Sequence, residues 1–202
     1  MNIIHPTAII ESNVQLGQNN YIGPYCHIRG NTNIGDNNRF ESFCSIGAPA
    51  EHRDYLTNSE IGTLIIGNNN IFREFVTINS SIEQLGTVIG NNNTMLRNSH
   101  LGHDSRIGNN ITLSCNVIIG GHSIIMDGVN FGLGSICHQF SKIGAYSMIG
   151  MGCIITKKTE IKPFSVYIGN PAVFLKENSI GIIRNNISLN EISYMKDKYE
   201  NL

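Results

Sequence analysis

Four histidines stand beside residues suited to acid–base chemistry. His103 is followed directly by Asp104, His122 is preceded by Gly120-Gly121, and His138 is followed by Gln139-Phe140; His100 lies three residues before His103. Histidine titrates near neutral pH and is the commonest general base. Set beside a bound hydroxyl or amine, it makes that group nucleophilic toward an activated acyl carbon. Asp104 can orient and charge-stabilise such a histidine. Gly121 can bring a backbone N–H close to a developing oxyanion. Two other readings fit the same residues. Three histidines can bind zinc, or the histidines can form a ladder of hydrogen-bonded turns with no chemistry.

Scattered residues need a frame that gathers them. Ile4, Ile10, Leu16, Ile22, Ile28, Ile34, Phe40 and Ile46 recur at steps of six. The same phase returns at Ile66, Phe72 and Ile78, and again without a break from Ile89 to Ile155. Glycine often follows, as at Gly17, Gly23, Gly35, Gly67, Gly90 and Gly108. A period of six matches neither an α-helix nor one long alternating strand. It predicts an all-β solenoid in which each face is a short strand plus a corner, three faces to an 18-residue rung. Leu101, Ile119 and Cys137 then lie above one another. His103, His122 and His138 fall at one corner, with His100 just before it. Cys26 and Cys44 are expected to stack as small buried hydrophobes.

Composition narrows the function classes. The 202 residues carry 14 Lys+Arg against 15 Asp+Glu, a net charge of -1, which favours neither nucleic acid nor an acidic tail. No apolar run approaches the roughly 18–20 residues of a membrane span, and the first residues do not read as a secretory signal. A soluble, cytoplasmic protein is expected. Five cysteines without a CxxC pair argue against a disulfide framework and against the simplest zinc sites.

Two stretches leave the repeat, about 48–63 and 79–87. Insertions in a solenoid become loops on one face, often the binding face. Glu51-His52-Arg53-Asp54-Tyr55 is denser in charge than the rest of the chain and is expected to face substrate. After Pro171 the pattern changes. Ser188 with Glu191 reads as a capping box, and Leu189, Ile192, Met195 and Tyr199 follow at helical spacing. The predicted organisation is a β-helix over 1–172 and a short helical tail over 173–202, with another turn or two of helix at 178–185.

Ile71-Phe-Arg-Glu-Phe-Val-Thr-Ile78, Asn98-Ser-His-Leu-Gly-His-Asp104, Gly120-Gly-His122 and Cys137-His-Gln-Phe-Ser-Lys-Ile-Gly144 together resemble the acyl-carrier-protein-dependent UDP-N-acetylglucosamine O-acyltransferases of lipid A synthesis. The resemblance spans about residues 3–170. It implies a left-handed parallel β-helix, usually trimeric, with no bound cofactor or metal. It places the general base on His103 and the oxyanion-holding N–H on Gly121. His100, His122, His138 and Gln139 fall on positions that bind or orient the sugar nucleotide and acyl donor; Asn178 and Arg184 match tail positions that contact nucleotide or donor.

The chain also departs from that pattern. The Gln-Asp pair that holds the sugar gives way to Ala50-Glu51-His52-Arg53-Asp54, where Asp54 is the candidate replacement. Asn79-Ser80-Ser81 stands where Arg-Gly-Thr is usual, a glutamate near Arg184 becomes Ile180, and the helical tail is about a third of its usual length. Met151 occupies the position that limits acyl length, or else fills core. Gly169-Asn-Pro-Ala172 resembles the corresponding stretch of coenzyme A-dependent acetyltransferases. The expected partners are a nucleotide-activated sugar and an acyl carrier protein or coenzyme A thioester, with no nucleic acid. An acetyl-CoA-dependent sugar O- or N-acetyltransferase of surface-glycan synthesis is the alternative. A zinc β-helix of the carbonic anhydrase type and a non-catalytic scaffold are further readings.

Overall fold

The computed structural model describes residues 1–52 and 62–202. Among these, twenty-five short strands form three sheets of ten, eight and seven strands. Every strand but the last pairs in parallel with its equivalent one rung away, as in Thr94↔Thr112↔Asn130↔Met148. The repeat residue points inward: Ile22, Ile28, Phe40, Ile46, Phe72, Ile78, Leu113 and Ile119 are all 0% exposed. Phe40 and Phe72 stack with centroids 4.6 Å apart. Cys26 and Cys44 sit on adjacent rungs, both buried. The solenoid is the left-handed parallel β-helix.

The corners explain the asparagines. Asn19, Asn37, Asn69, Asn92 and Asn110 have φ between 57° and 59°, the left-handed region that asparagine tolerates better than most residues. After the first four of these the next residue is a buried asparagine, Asn20, Asn38, Asn70 or Asn93, whose amide joins rungs. Asn70 is completely buried; its Oδ1 accepts from Asn93 N at 2.9 Å, its Nδ2 donates to Gly90 O at 3.0 Å, and its own N–H donates to Asn38 Oδ1 at 2.9 Å. Each buried polar group left without a partner costs roughly 1–3 kcal/mol. Asn70→Ala strands the Asn93 N–H and the Gly90 carbonyl, and is expected to lower unfolding free energy by about 2 kcal/mol. A urea titration checks this as a lower midpoint at unchanged slope.

Both insertions leave the solenoid at one edge, where the chain passes from the eight-stranded to the seven-stranded sheet. They stretch the register from the usual 18 to Ser45↔Thr77 and Thr77↔His100, after which the count returns at His100↔Ile118. The corner that carries His103 lies on that same edge.

The carboxyl end closes differently. Val173–Glu177 folds back antiparallel on Ser165–Ile168. Helix α1 (Ser179–Arg184) follows, capped by Asn178, and then helix α2 (Leu189–Glu200) with the expected Ser188/Glu191 capping box. No helix of the described residues is long and apolar enough to cross a membrane.

Candidate active site

His103 and Asp104 occupy the corner between the strands His100–Leu101 and Arg106–Ile107. The register Leu101↔Ile119↔Cys137 puts His103 above Gly121 and Gln139, Asp104 above His122 and Phe140, and Gly102 above Gly120 and His138. Asp104, His122 and Phe140 share a left-handed backbone, φ +58°, +56° and +62°. That conformation turns successive side chains out along one line. The His103 and His122 rings meet edge-on with centroids 5.0 Å apart, and His122 stacks on Phe140 at 4.5 Å.

Hydrogen bonds fix the tautomer of His103. Its Nδ1 lies 2.7 Å from Asp104 Oδ2, with both residues buried. Ile82 N and Glu83 N also donate to the Asp104 carboxyl, at 3.0 and 2.9 Å, and Asp104 N donates to Thr87 Oγ1 at 2.8 Å. Burial alone would push the Asp104 pKa up. The His103 hydrogen bond and the two backbone N–H groups outweigh it, and hold the carboxyl below its ordinary value. An ionised Asp104 accepts a hydrogen bond from Nδ1–H, so Nε2 carries the ring's available lone pair.

The depressed pKa fixes a sign. The ionised carboxyl stabilises the fold at every pH above its ordinary value of about 3.9. That contribution is lost as pH falls through the lowered, folded-state pKa. Asp104→Asn is expected to flatten the acid limb of a stability–pH curve below about pH 4. It should also cut kcat by about 10²–10⁴-fold, because the ring loses the charge that orients it for proton transfer. Acid unfolding and steady-state rates check the two parts.

Gly121 is required here by space. A Cβ on it would stand 2.9 Å from His103 Nε2 and 3.0 Å from His103 O. The bare Cα therefore faces that nitrogen, and the Gly121 N–H donates to none of the described residues. Gly102, which the motif reading passed over, has a related duty: its Cβ would fall 2.6 Å from Gly121 N. The signal was available, since Gly102 lies one rung before Gly120.

His100 is half-buried, with Nδ1 2.8 Å from Thr77 Oγ1. Burial pushes its pKa down, Glu51 opposes this, and His103 adds to the fall. His138 is exposed two rungs further on, its Nδ1 2.8 Å from Gln139 O; Gln139 is exposed beside it. His52, in the first insertion, reaches the site too, with its ring edge-on to His103 and centroids 6.4 Å apart. The charged cluster marked this loop, but Asp54 was singled out within it, and Asp54 lies outside the described residues.

Three expected site residues are elsewhere in the single chain. Asn178 accepts from Gly181 N and donates to Tyr146 O at 2.8 Å, so its amide caps α1 and ties it to the solenoid. With the exposed Arg184 it lines a cleft of about 410 Å³ beside Asn130, Met148 and Lys176, on the ten-stranded face. Met151 stands at a different edge and is 74% exposed, which rules out the core-filling reading.

His103, Asp104 and His122 also offer ligand atoms within 4.8 Å of one another, the one such group among the described residues. The donor set fits a metal poorly. Asp104 already accepts from His103 and two backbone N–H groups, and His103 Nδ1 is spent on Asp104. These bonds leave Nε2 as the one ring nitrogen not committed to Asp104, which is what a base needs.

Fold and corner together define a hexapeptide-repeat acyltransferase. Residues 13–48 match the family model described as bacterial transferase hexapeptide (six repeats). The acyl-[acyl-carrier-protein]–UDP-N-acetylglucosamine O-acyltransferase of Janthinobacterium sp. (strain Marseille) is 38% identical over 222 aligned positions, covering 100% of this chain and 83% of the relative. The UDP-N-acetylglucosamine O-acyltransferase structure from Moraxella catarrhalis superposes with a TM-score of 0.81 at 32% identity, over 97% of this chain and 82% of that one. The corresponding Campylobacter jejuni structure gives 0.81 at 30% identity, over 98% and 83%. The chain belongs to the acyl-[acyl-carrier-protein]–UDP-N-acetylglucosamine O-acyltransferase family.

Proposed function

We propose that this protein moves an acyl group from a thioester, on acyl carrier protein or coenzyme A, to a hydroxyl or amine of a nucleotide-linked sugar such as UDP-N-acetylglucosamine. The observation that carries the reading is the His103 Nδ1–Asp104 bond of 2.7 Å, with Nε2 set against the bare Gly121. The acceptor O–H or N–H gives its proton to Nε2 as its heteroatom bonds to the thioester carbonyl carbon. The tetrahedral oxyanion takes a hydrogen bond from Gly121 N–H. The C–S bond then breaks as His103 passes the proton to sulfur, and the thiol leaves. One such oxyanion donor is typically worth about 3–4 kcal/mol.

His100, His122, His138 and Gln139 line the approach and would seat the two substrates. Residues 1–172 form the catalytic unit and 173–202 a tail that seats nucleotide and donor. One chain keeps Met151, Asn178 and Arg184 away from the His103 edge, which supports a homotrimer whose neighbouring copy supplies them. In that arrangement Met151 limits acyl length. The setting proposed is the cytoplasm, where the thioester donors are made.

Thiol release tests the reading. Purified protein is given acetyl-CoA or acyl carrier protein thioesters of several lengths with a panel of UDP- and dTDP-sugars. Release from acyl carrier protein with UDP-N-acetylglucosamine is expected. Release only from acetyl-CoA with another sugar would move the protein to surface-glycan acetylation. No release from any pair would sink acyl transfer.

A further inference from the structure

We infer that Ser123, with Ser105 behind it, is a positioning residue for the oxyanion donor, holding the Gly120–Gly121 peptide so that Gly121 N–H faces the groove; this rests on the acyl-transfer reading of the His103 corner. The peptides on either side are tied to the ladder by backbone bonds. Gly120 N donates to Cys137 O at 2.9 Å, His122 N donates to His103 O at 2.9 Å, and Gly121 O accepts from Phe140 N at 2.9 Å. The Gly120–Gly121 peptide between them has no such tie. Among the described residues no backbone N–H reaches Gly120 O, and Gly121 N–H has no acceptor. Two hydroxyls hold the carbonyl instead, Ser123 Oγ at 2.7 Å and Ser105 Oγ at 3.2 Å, both from residues with 0% exposure. Ser123 Oγ also lies 3.4 Å from His138 O, but that carbonyl already accepts from Ser141 Oγ at 2.6 Å, so the Ser123 proton serves Gly120.

A trans peptide, as this one is, carries its C=O and N–H on opposite sides of one plane. With Gly120 O turned toward the buried hydroxyls, Gly121 N–H is turned the other way, to the groove. Glycine on both sides lets that plane rotate at little steric cost. A rotated plane would present a carbonyl oxygen to the developing oxyanion instead of a donor. Serine-to-carbonyl bonds of this kind also occur from Ser135 to Gly132 O and from Ser147 to Gly144 O. There the serine's own N–H adds a bond to the same carbonyl, at 3.2 and 3.4 Å. At Gly120 the Ser123 N–H goes to Ser105 Oγ, at 3.3 Å, so the hydroxyls alone set the plane. A donor aimed before substrate arrives needs no reorganisation during the reaction.

The test measures single-turnover rate and KM with UDP-N-acetylglucosamine and an acyl carrier protein thioester, and calorimetric Kd for the nucleotide sugar alone. Ser123→Ala is expected to lower the rate about tenfold, as loss of one hydrogen bond from a preorganised donor does, with KM and Kd within about twofold. Ser123→Thr should recover most of the rate, since Thr32 makes the same bond to Arg29 O at another fully buried corner. Ser105→Ala, which removes the longer bond, should lower the rate about threefold, and it decides the matter if Ser123→Ala does not fold. Ser135→Ala breaks an equivalent bond at a corner without the histidines. Its melting temperature should fall about as far as that of Ser123→Ala while its rate stays at wild type. A wild-type rate in folded Ser123→Ala would overturn the inference alone. An equal loss of rate in Ser135→Ala would overturn it too, because loosening any corner would then suffice, and so would a raised Kd at unchanged rate. Wild type that transfers acyl groups to no sugar would remove the His103 reading and this inference together.

Discussion

His103→Ala lowers kcat about 10³-fold, within the usual range for removing a general base, and leaves the Kd for the nucleotide sugar within a few-fold. The expectation follows from where the ring spends its bonds. Nδ1 is committed to Asp104 at 2.7 Å, so the only nitrogen left for substrate is Nε2. Removing it takes away a proton acceptor needed as the carbon–heteroatom bond forms, not a group on which ground-state binding depends. The residual rate comes from holding acceptor and thioester in one groove. Single-turnover rates beside calorimetric binding separate the two effects. A variant with full kcat would show that the proton goes elsewhere.

Gly121→Ala should cost about 10²–10³-fold in kcat, comparable to losing an oxyanion donor, although it adds only one methyl group. The new Cβ would sit 2.9 Å from His103 Nε2 and 3.0 Å from the His103 carbonyl. Neither neighbour has room to yield: the ring is held by Asp104, and the carbonyl accepts from His122 N at 2.9 Å. The methyl therefore displaces the base and covers the N–H that the oxyanion must reach. Melting temperature should fall much less than activity, because the corner faces the groove and not the core. Equal activity in the alanine variant would remove Gly121 from the mechanism.

The parts of this arrangement that were legible in the sequence share one physical cause. Every rung meets the next through the same inward residue, so a step of six in sequence is a fixed step in space. From Ile89 to Ile155 nothing breaks the count, and arithmetic alone sets His103 over Gly121 and Asp104 over His122. The count fails where the insertions enter. No periodicity relates His52 to His103, because the pairing Ser45↔Thr77 crosses a detour of arbitrary length. Asn178 was opaque for another reason. Its side chain serves the α1 cap and Tyr146 O, contacts that depend on how the tail packs back and carry no motif. Met151 is likewise placed by phase at its own edge, but phase within one chain says nothing about a neighbouring copy.

The return of the register after each detour has a consequence for how such a protein can change. Once past His100↔Ile118 the ladder resumes as though nothing had intervened. His103, Asp104 and Gly121 are therefore counted from the shaft, while the residues in the detours are not. Insertions can lengthen, shorten or exchange side chains without shifting His103 against Gly121. The stacking of the rungs and the length of the detours are thus written in separate parts of the chain, and selection can revise the second while leaving the first untouched.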